Sequence, residues 1–270
     1  MIQRFWADQG GLPSGDRGLA YGDGLFETIR VEGDQAPLLA YHLDRMVGDA
    51  GRLGIDVSRD ELMAVCQEAF GRYGKERSVW VLKLILTRGA GGRGYQPAAG
   101  MVPNLLVFCS DAPPLPDAEG VVADFSRVPL TVNPLLAGIK SLNRLEQVMA
   151  ARELSGDCFE MLMANAQGHI TEGTRTNLFV ATDDGWLTPP ADSVAVAGVM
   201  RQLVIGCLQQ AGEVIQQRPV LREHLQPGIC RGLYLTNSVL GVVGVRKLAG
   251  QDLPVDQHLA TICRSHMTVE

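Results

Sequence analysis

The chain has 270 residues, of which 46% are hydrophobic and 20% charged, a balance typical of one large globular domain or two smaller ones. Its formal net charge of -6 argues against a nucleic-acid backbone as the main partner, because proteins that bind one usually carry a basic face. The N-terminal stretch is too polar for a signal peptide, and no apolar segment is long enough to span a membrane. The six cysteines form no C-x-x-C pair, which argues against a metal site. Together these features predict a cytoplasmic protein.

The first 109 residues indicate a mixed α/β unit. Residues 26–31 alternate between apolar and polar side chains, and the Glu32-Gly33-Asp34 sequence that follows them predicts a hairpin. Ser58 and Glu61 form a capping box, which predicts a helix that runs through residue 70. Apolar spacing and β-rich composition predict the other elements of this half, which are a helix at 41–53 and strands at 79–86 and 104–109.

A proline-rich segment at residues 110–117 separates this unit from a second one. Its prolines remove backbone donors and stiffen the chain, so that we expect a smaller α/β domain at 1–109, a linker at 110–118 and a larger α/β domain at 119–270. The pattern predicts, in chain order, a strand at 121–125, a helix at about 143–154, a hairpin around 165–168, a strand at 177–181, a hairpin at 183–185, a helix from 199, strands near 214, at 232–235 and at 242–245, and a helix after 255.

Four segments contain residues that could carry chemistry. Lys140 lies in an apolar bend before a helix, where an amine loses part of its preference for the charged form and can act as a nucleophile or base. Glu172 lies in a tight connection between two strands, and Gly198 opens a helix whose first amides could bind an anion. Residues 236–238, Thr-Asn-Ser, end an apolar strand. Taken singly, each has a structural explanation as a surface lysine, a satisfied acid, a helix start or a turn.

Together, and in this order, the four segments supply the parts of a pyridoxal 5'-phosphate site. An amine can hold the cofactor covalently, and an acid can keep its pyridine nitrogen protonated. A helix start and hydroxyl groups can hold its phosphate. The sequence therefore predicts that Lys140 carries this cofactor.

The chain resembles the fold-type IV pyridoxal-phosphate family, which includes branched-chain and D-amino acid aminotransferases and 4-amino-4-deoxychorismate lyases. The resemblance extends from about residue 16 to residue 245. Its motifs are Y-G-D-G-L-F-E-T at 21–28, H-L-D-R at 42–45, the lysine segment, T-E-G-T-R-T-N-L-F at 171–179 and A-G-V-M-R-Q at 197–202. It implies a two-domain α/β (α+β) architecture like that of D-amino acid aminotransferases, and a homodimer.

The resemblance also implies a role for individual residues of the cofactor site. Lys140 would bind the cofactor covalently and shuttle protons, and Glu172 would pair with the pyridine nitrogen. Arg45 would reach the phosphate, a task suited to a guanidinium group. The other phosphate ligands would be the backbone amides of Val199 and Met200, with Thr236, Asn237 or Ser238.

Within this family, the lyase pattern is the most similar. The two segments that carry it are G-I-K-S-L-N-R-L-E-Q-V at 138–148 and R-G-A-G-G-R-G-Y at 88–95. The implied reaction converts 4-amino-4-deoxychorismate to 4-aminobenzoate and pyruvate, a step of folate biosynthesis. Thr28 would lie near the reacting carbons, and Arg93 and Tyr95 would hold the carboxylates of this small-molecule substrate.

Two alternatives remain open from the sequence. A D-amino acid or branched-chain aminotransferase of the same fold would share every cofactor residue, and Glu27 does not discriminate because family aminotransferases also have glutamate there. A non-catalytic pyridoxal-phosphate-binding protein would need the phosphate site but would have no use for the acid at the ring nitrogen.

Overall fold

A computed structural model describes residues 1–267 and divides them into two compact units. The first unit comprises Met1–Pro113 together with Lys140–Asn143, and the second comprises Pro114–Ile139 and Arg144–Met267. Along the described part of the chain, no helix combines the length and apolar composition that crossing a membrane requires.

The first unit is built on a mixed sheet. Its elements in chain order are β1 (Gln3–Trp6), α1 (Arg17–Tyr21), β2 (Gly24–Glu32), α2 (Leu39–Leu53), α3 (Arg59–Tyr73), β3 (Val79–Thr87) and β4 (Asn104–Asp111). The strand order in residues 1–113 is β1-β4-β3-β2, in which β1 and β4 are parallel and the other pairs antiparallel. Strand β2 thus lies at one edge, and α2 packs against it.

Burial alternates along β2, as its sequence predicts. Leu25, Glu27, Ile29 and Val31 are buried, whereas the intervening residues, Thr28 among them, are partly exposed. Because successive side chains of a strand point to opposite faces, Glu27 and Thr28 lie on different sides of the sheet.

The sequence identified α3 more accurately than the chain that follows β2. The side chain of Ser58 accepts from the backbone N–H of Glu61, and Glu61 reciprocates, so that the predicted capping box is confirmed. The predicted turn after residue 31 is present, but the predicted hairpin is wrong, because the turn does not join β2 to the strand that pairs with it. Glu32 ends β2 opposite Val79, its N–H donates to the carbonyl of Gln35 across a tight turn (2.8 Å), and the chain then enters α2. The antiparallel partner of β2 is β3, two helices later.

The second unit contains a larger mixed sheet. Its elements are β5 (Val121–Phe125), α4 (Leu145–Ala151), β6 (Cys158–Ala164), β7 (Ile170–Gly173), β8 (Asn177–Thr182), β9 (Gly185–Thr188), α5 (Val199–Gln210), β10 (Ile215–Gln217), β11 (Gly232–Asn237), β12 (Gly241–Leu248), β13 (Gln251–Asp252) and α6 (His258–Cys263). The strand order in residues 114–267 is β10-β9-β8-β11-β12-β5-β6-β7, with β13 beside β12. The predicted hairpins β6–β7 and β8–β9 are confirmed as antiparallel pairs.

Lys140 belongs to a different unit from the one that the sequence predicts. The expected larger domain included it, but residues Lys140–Asn143 group with the first unit. The physical reason is that their backbone pairs with the edge of β2: the N–H of Phe26 donates to the carbonyl of Lys140 (3.0 Å), and the N–H of Leu142 donates to the carbonyl of Gly24 (3.0 Å). Because these residues are extended, α4 begins only at Leu145 rather than near residue 143.

Candidate active site

Lys140 is held on the exposed edge of β2 by its backbone. Besides its bond to Phe26, its own N–H donates to Oδ2 of Asp49 on α2 (3.1 Å). The Nζ atom lies 4.2 Å from the centre of the Phe26 ring. An ammonium group in this position is attracted to the ring face. The backbone of the lysine is therefore fixed from two sides, by a strand and a helix.

Arg45 and His42 surround the buried carboxylate of Glu27. Arg45 donates from Nε (2.7 Å) and Nη2 (2.5 Å), and Nδ1 of His42 lies 2.6 Å from Oε2 of Glu27. Burial alone would raise the pKa of Glu27, but Arg45 and His42 outweigh it and lower this pKa to about 2. Burial lowers the pKa of His42 despite the neighbouring carboxylate. Five N–H groups are available on a guanidinium, so pairing with Glu27 is compatible with the predicted contact to phosphate.

The other predicted residues of the first unit lie on its more exposed surfaces. Thr28 is partly exposed on the face of β2 opposite Glu27. Arg93 is exposed, and Tyr95 is 86% exposed, on the loop between β3 and β4. The ring of Tyr95 meets that of Tyr21 edge to face, with 5.5 Å between the centres.

Glu172 is a buried acid with a hydrogen-bond donor on each oxygen. It lies on β7 opposite Met163 and is 3% exposed. Nε2 of Gln147 on α4 is 3.4 Å from Oε1, and the backbone N–H of Val196 donates to Oε2 (3.1 Å). Both donors are neutral, so they orient the carboxylate without cancelling its charge. This arrangement suits an acid that must pair with a cationic ring nitrogen.

The start of α5 is fixed by Asn177. Its Oδ1 accepts from the N–H of Gly198 (3.1 Å), and its Nδ2 donates to the carbonyl of Val196 (2.9 Å). Gly198 precedes the helix with no side-chain cap, so the first-turn amides of Val199 and Met200 have no partner within the helix. Amides in this position favour an anion.

Residues 236–238 differ in how their side chains are used. Thr236 is 1% exposed, and within residues 1–267 its Oγ1 has no hydrogen-bond partner. A buried hydroxyl without a partner costs free energy, which a phosphate oxygen would recover. Oδ1 of Asn237 instead accepts from the N–H groups of Val239 (3.0 Å) and Leu240 (2.8 Å), so this side chain shapes the turn. Ser238 is partly buried in the same turn.

The structure adds residues that the sequence did not indicate. Asp49, Gln147 and Asn177 each bond to a segment that contains a predicted site residue. Glu160 is fully buried on β6 and accepts from the N–H and hydroxyl of Thr174 (2.9 and 2.5 Å) and from the hydroxyl of Thr176 (3.0 Å). A charged residue within the apolar strand F-E-M-L-M was a usable signal for Glu160, because buried acids need several donors.

A known protein family matches most of the chain. Residues 24–248 match the family model described as amino-transferase class IV. The chain belongs to the class IV aminotransferase family. Enzymes of this family depend on pyridoxal 5'-phosphate, so the predictions of the family, its mixed α/β fold and its cofactor are confirmed.

Members of the class IV family that resemble this chain include lyases and aminotransferases. An aminodeoxychorismate lyase from Vibrio harveyi is 33% identical, over 96% of this chain and 97% of that protein. A crystal structure of 4-amino-4-deoxychorismate lyase from Pseudomonas aeruginosa is 35% identical with a TM-score of 0.88, over 95% of this chain and 94% of the other. A putative branched-chain-amino-acid aminotransferase from Methanocaldococcus jannaschii is 29% identical, over 87% of this chain and 82% of that protein.

The residues of this class IV chain fit the family's cofactor on structural grounds. Thr236 presents a buried hydroxyl without a partner in the described chain, and α5 begins without a side-chain cap on its first-turn amides. Glu172 presents an oriented carboxylate. The first unit contains Lys140, Arg45, Thr28, Arg93 and Tyr95, and the second contains Glu172, Val199, Met200, Thr236, Asn237 and Ser238.

Proposed function

We propose that this chain is a pyridoxal-phosphate-dependent lyase that converts 4-amino-4-deoxychorismate to 4-aminobenzoate and pyruvate. The observation that carries the proposal is its similarity to lyases of this name over nearly the whole chain, at 33% and 35% identity. Within this similarity, the lysine and glycine-rich segments at 138–148 and 88–95 resemble the lyases in particular.

The proposed cofactor residues follow from the chemistry that each can perform. Bound pyridoxal 5'-phosphate supplies an aldehyde that bonds to an amine and a protonated ring that accepts negative charge. Lys140 holds the cofactor through its Nζ, and Glu172 keeps the proton on the ring nitrogen. Arg45, the amides of Val199 and Met200, and the hydroxyl of Thr236 hold the phosphate, with Asn237 and Ser238 forming the turn beside Thr236.

The proposed reaction balances without a second substrate. The Lys140 amine, released when the substrate's amino group takes its place on the cofactor, would remove the proton from the ring carbon that bears that amino group. The bond between the neighbouring ring carbon and the enolpyruvyl oxygen then breaks, and the six-membered ring becomes aromatic. A proton returned by Lys140, with Thr28 assisting, reaches the methylene carbon of the departing group and gives pyruvate. Arg93 and Tyr95 hold the carboxylates of the substrate during these steps.

The decisive experiment is product analysis with the purified protein. Incubation with 4-amino-4-deoxychorismate and pyridoxal phosphate, without any oxo acid, is expected to yield 4-aminobenzoate and pyruvate in equal amounts, as measured by chromatography and a coupled pyruvate assay. Lys140→Ala is expected to lose both products and the visible absorption band of the bound cofactor. Lys75→Ala, a change at an exposed lysine, is the matched control and should keep both. A Lys140→Ala protein that retains the band would exclude Lys140 as the attachment site.

The second candidate is an aminotransferase of the same family, which the 29% identity to a putative branched-chain aminotransferase favours. This enzyme would convert an amino acid and an oxo acid, and would form no 4-aminobenzoate. A protein that binds the cofactor but converts neither substrate would instead be a carrier of the cofactor.

We further propose that the chain is cytoplasmic, that it forms a homodimer, and that it has the two domains and the linker expected from its sequence, except that residues 140–143 belong to the first domain. The supports are its six cysteines without a C-x-x-C pair, the proline-rich segment and the resemblance to fold-type IV enzymes. Sedimentation equilibrium at micromolar concentration tests the dimer, for which we expect twice the 29.1 kDa chain mass.

A further inference from the structure

The loop between β3 and β4 contains a run of glycines that leaves its shape weakly determined. Gly89, Gly91, Gly92 and Gly94 have φ angles of 105°, 123°, 77° and 72°, a region that other residues rarely adopt. Glycine-rich chains have many accessible conformations, and restricting them costs conformational entropy. A loop of this composition therefore needs contacts from outside to present a side chain in one position.

Arg17 supplies such contacts from a buried position. It is 3% exposed, and it donates from Nη1 to the carbonyl of Gly94 (3.0 Å) and from Nη2 to the carbonyl of Tyr95 (2.7 Å). These are the two carbonyls that follow Arg93 along the chain. A planar guanidinium group fixes both its own orientation and that of two consecutive peptide groups, which an ammonium group cannot do.

The guanidinium of Arg17 is itself anchored. Its Nε donates to Asp23 (2.8 Å), which also accepts from Arg88 (2.8 and 3.0 Å). Burial by itself raises the pKa of Asp23, but the hydrogen bonds from Arg88 and Arg17 outweigh it and lower the pKa below its ordinary value. Arg88 in turn donates to the carbonyls of Leu53 and Gly54 at the end of α2. The anchor thus connects the loop to a strand end and a helix end of the same unit.

Two aromatic rings extend this support to the surface. The guanidinium of Arg17 lies over the ring of Tyr21 at 4.9 Å, and Tyr21 meets the ring of Tyr95. The backbone of Tyr95 is therefore held while its side chain stays largely exposed. Arg93, two residues earlier, is also exposed, and no acid in residues 1–267 pairs with it in an ion pair. The loop presents a cation and a phenol outward from a fixed backbone.

We propose that Arg17 is a positioning residue that holds the 89–95 loop so that Arg93 and Tyr95 meet a carboxylate of the substrate. This inference rests on the proposed function, and it adds a residue that acts without touching the substrate. An ordered loop binds a carboxylate more tightly than a mobile one, because the cost of ordering is met before binding. Arg17 should therefore govern KM more than kcat, since a carboxylate far from the reacting bond is held equally in the ground and transition states.

The test compares Arg17→Lys with Arg72→Lys. The control residue Arg72, like Arg17, pairs with a carboxylate, that of Asp8, and lies over aromatic rings, but its hydrogen bonds go to Asp8 and not to the loop. For Arg17→Lys we expect KM for 4-amino-4-deoxychorismate to rise about tenfold while kcat and the Kd for pyridoxal phosphate change less than about twofold. Arg72→Lys should change none of the three. An unchanged KM in Arg17→Lys would overturn the proposal.

A mutant cycle with the double variant Arg93→Ala/Tyr95→Phe separates positioning from general destabilisation. If Arg17 acts through the loop, Arg17→Lys should add less than about twofold to the KM of this double variant, because both groups that Arg17 positions are gone. Independent, additive effects would overturn the proposal. Should Arg17→Lys fail to fold, Tyr21→Ala at a partly exposed site removes the outer support and should raise KM in the same direction.

Trypsin cleavage gives a readout that needs no substrate. Cleavage after Arg93 should be slow in the wild type and at least about fivefold faster in Arg17→Lys, because protease sites must be locally mobile. Equal cleavage rates would show that Arg17 does not fix the loop. A wild-type protein that forms no 4-aminobenzoate would refute the proposed function and the substrate part of this inference, and the cleavage rates would still decide whether Arg17 orders the loop.

Discussion

Glu27 is a carboxylate enclosed by an arginine and a histidine, and its charge depends on both. It is 1% exposed, and its pKa of about 2 lies well below the ordinary value of 4.5. A carboxylate with a depressed pKa in the folded state stabilises that state above the unfolded pKa, and the stabilisation disappears as the pH falls through the folded pKa. A difference of this size corresponds to roughly 3 kcal/mol, at about 1.4 kcal/mol per pKa unit.

Glu27→Gln should therefore change how stability depends on pH. At pH 7 we expect the free energy of unfolding to fall by about 3 kcal/mol, because Arg45 loses its charged partner. Between pH 4.5 and 2 the difference between variant and wild type should shrink, as Glu27 in the wild type becomes protonated. Urea denaturation at a series of pH values measures both effects.

Glu68→Gln is the matched control for this experiment, because Glu68 pairs with Arg4 in an exposed position. Such pairs contribute little, so we expect a change within about 0.5 kcal/mol at every pH. If the Glu27→Gln difference stayed constant from pH 7 to pH 2, the charge of Glu27 would not be what stabilises the fold.

The sequence predicted individual site residues only where they lie in a recognisable local motif. Lys140 and Glu172 stood out through their local surroundings, and the family match is consistent with both. The partners that orient them lie far away in the chain: Asp49 is 91 residues from Lys140, and Gln147 and Val196 are 25 and 24 residues from Glu172. No local periodicity records such pairings, so they became visible only in the structure.

The start of α5 depends on a close approach between two elements. Asn177 at the beginning of β8 occupies the space beside Gly198, and a Cβ atom on Gly198 would collide with its Oδ1. The φ angle of Gly198 is -65°, which any residue can adopt, so the requirement for glycine is one of space rather than of backbone conformation. A side chain here would displace Asn177 and release both hydrogen bonds that fix the helix start.

Gly198→Ala is therefore expected to weaken cofactor binding and to lower stability. We expect the Kd for pyridoxal phosphate to rise about tenfold and the free energy of unfolding of the cofactor-free protein to fall by roughly 1–3 kcal/mol. Fluorescence titration and urea denaturation measure the two quantities. Gly206→Ala, in the middle of the same helix, meets no atom within 4 Å and should keep cofactor binding while stabilising the helix by up to about 1 kcal/mol. Equal cofactor affinity in the two variants would contradict the role of the Asn177 contact.

Helices with a strong local signal in the sequence were predicted, whereas helix α1, whose cap residue bonds to residues far away in the chain, was not. The capping box at Ser58 located the start of α3 within a residue, although the helix continues to Tyr73 rather than ending at residue 70. Helix α1 has only five residues and no apolar periodicity, and its N-cap Asp16 also accepts from Thr87 and Asn104 on other strands. The tight turn at Gly33 resembled a hairpin because a turn signal says that the chain reverses, not which strand it joins.

On the scale of the whole molecule, all six cysteines are free thiols. Burial raises the pKa of Cys66 to about 12, and it also raises the pKa values of Cys109, Cys158, Cys230 and Cys263. The thiolate is the reactive form, so a raised pKa slows reaction at neutral pH.

We expect the native protein to react slowly with a thiol reagent at pH 8, and all six thiols to react at once after unfolding in guanidinium chloride. The half-buried Cys109 and Cys158 should form the fastest native phase, and Cys109→Ser/Cys158→Ser should lack it. Dithiothreitol should leave the Tm unchanged, because no disulfide contributes to stability. Rapid labelling of all six thiols in the native protein would contradict the burial described here.

The pairing of residues 140–143 with β2 has a consequence for how the protein is made. A ribosome releases the chain from its N-terminus, so β1 to β4 emerge well before Lys140 does. Until then the outer strand of the nascent sheet has an uncovered row of amides and carbonyls, the kind of border along which unfinished chains stick to one another. The same short stretch that contains Lys140, the proposed attachment site of the cofactor, thus completes the first unit late in synthesis.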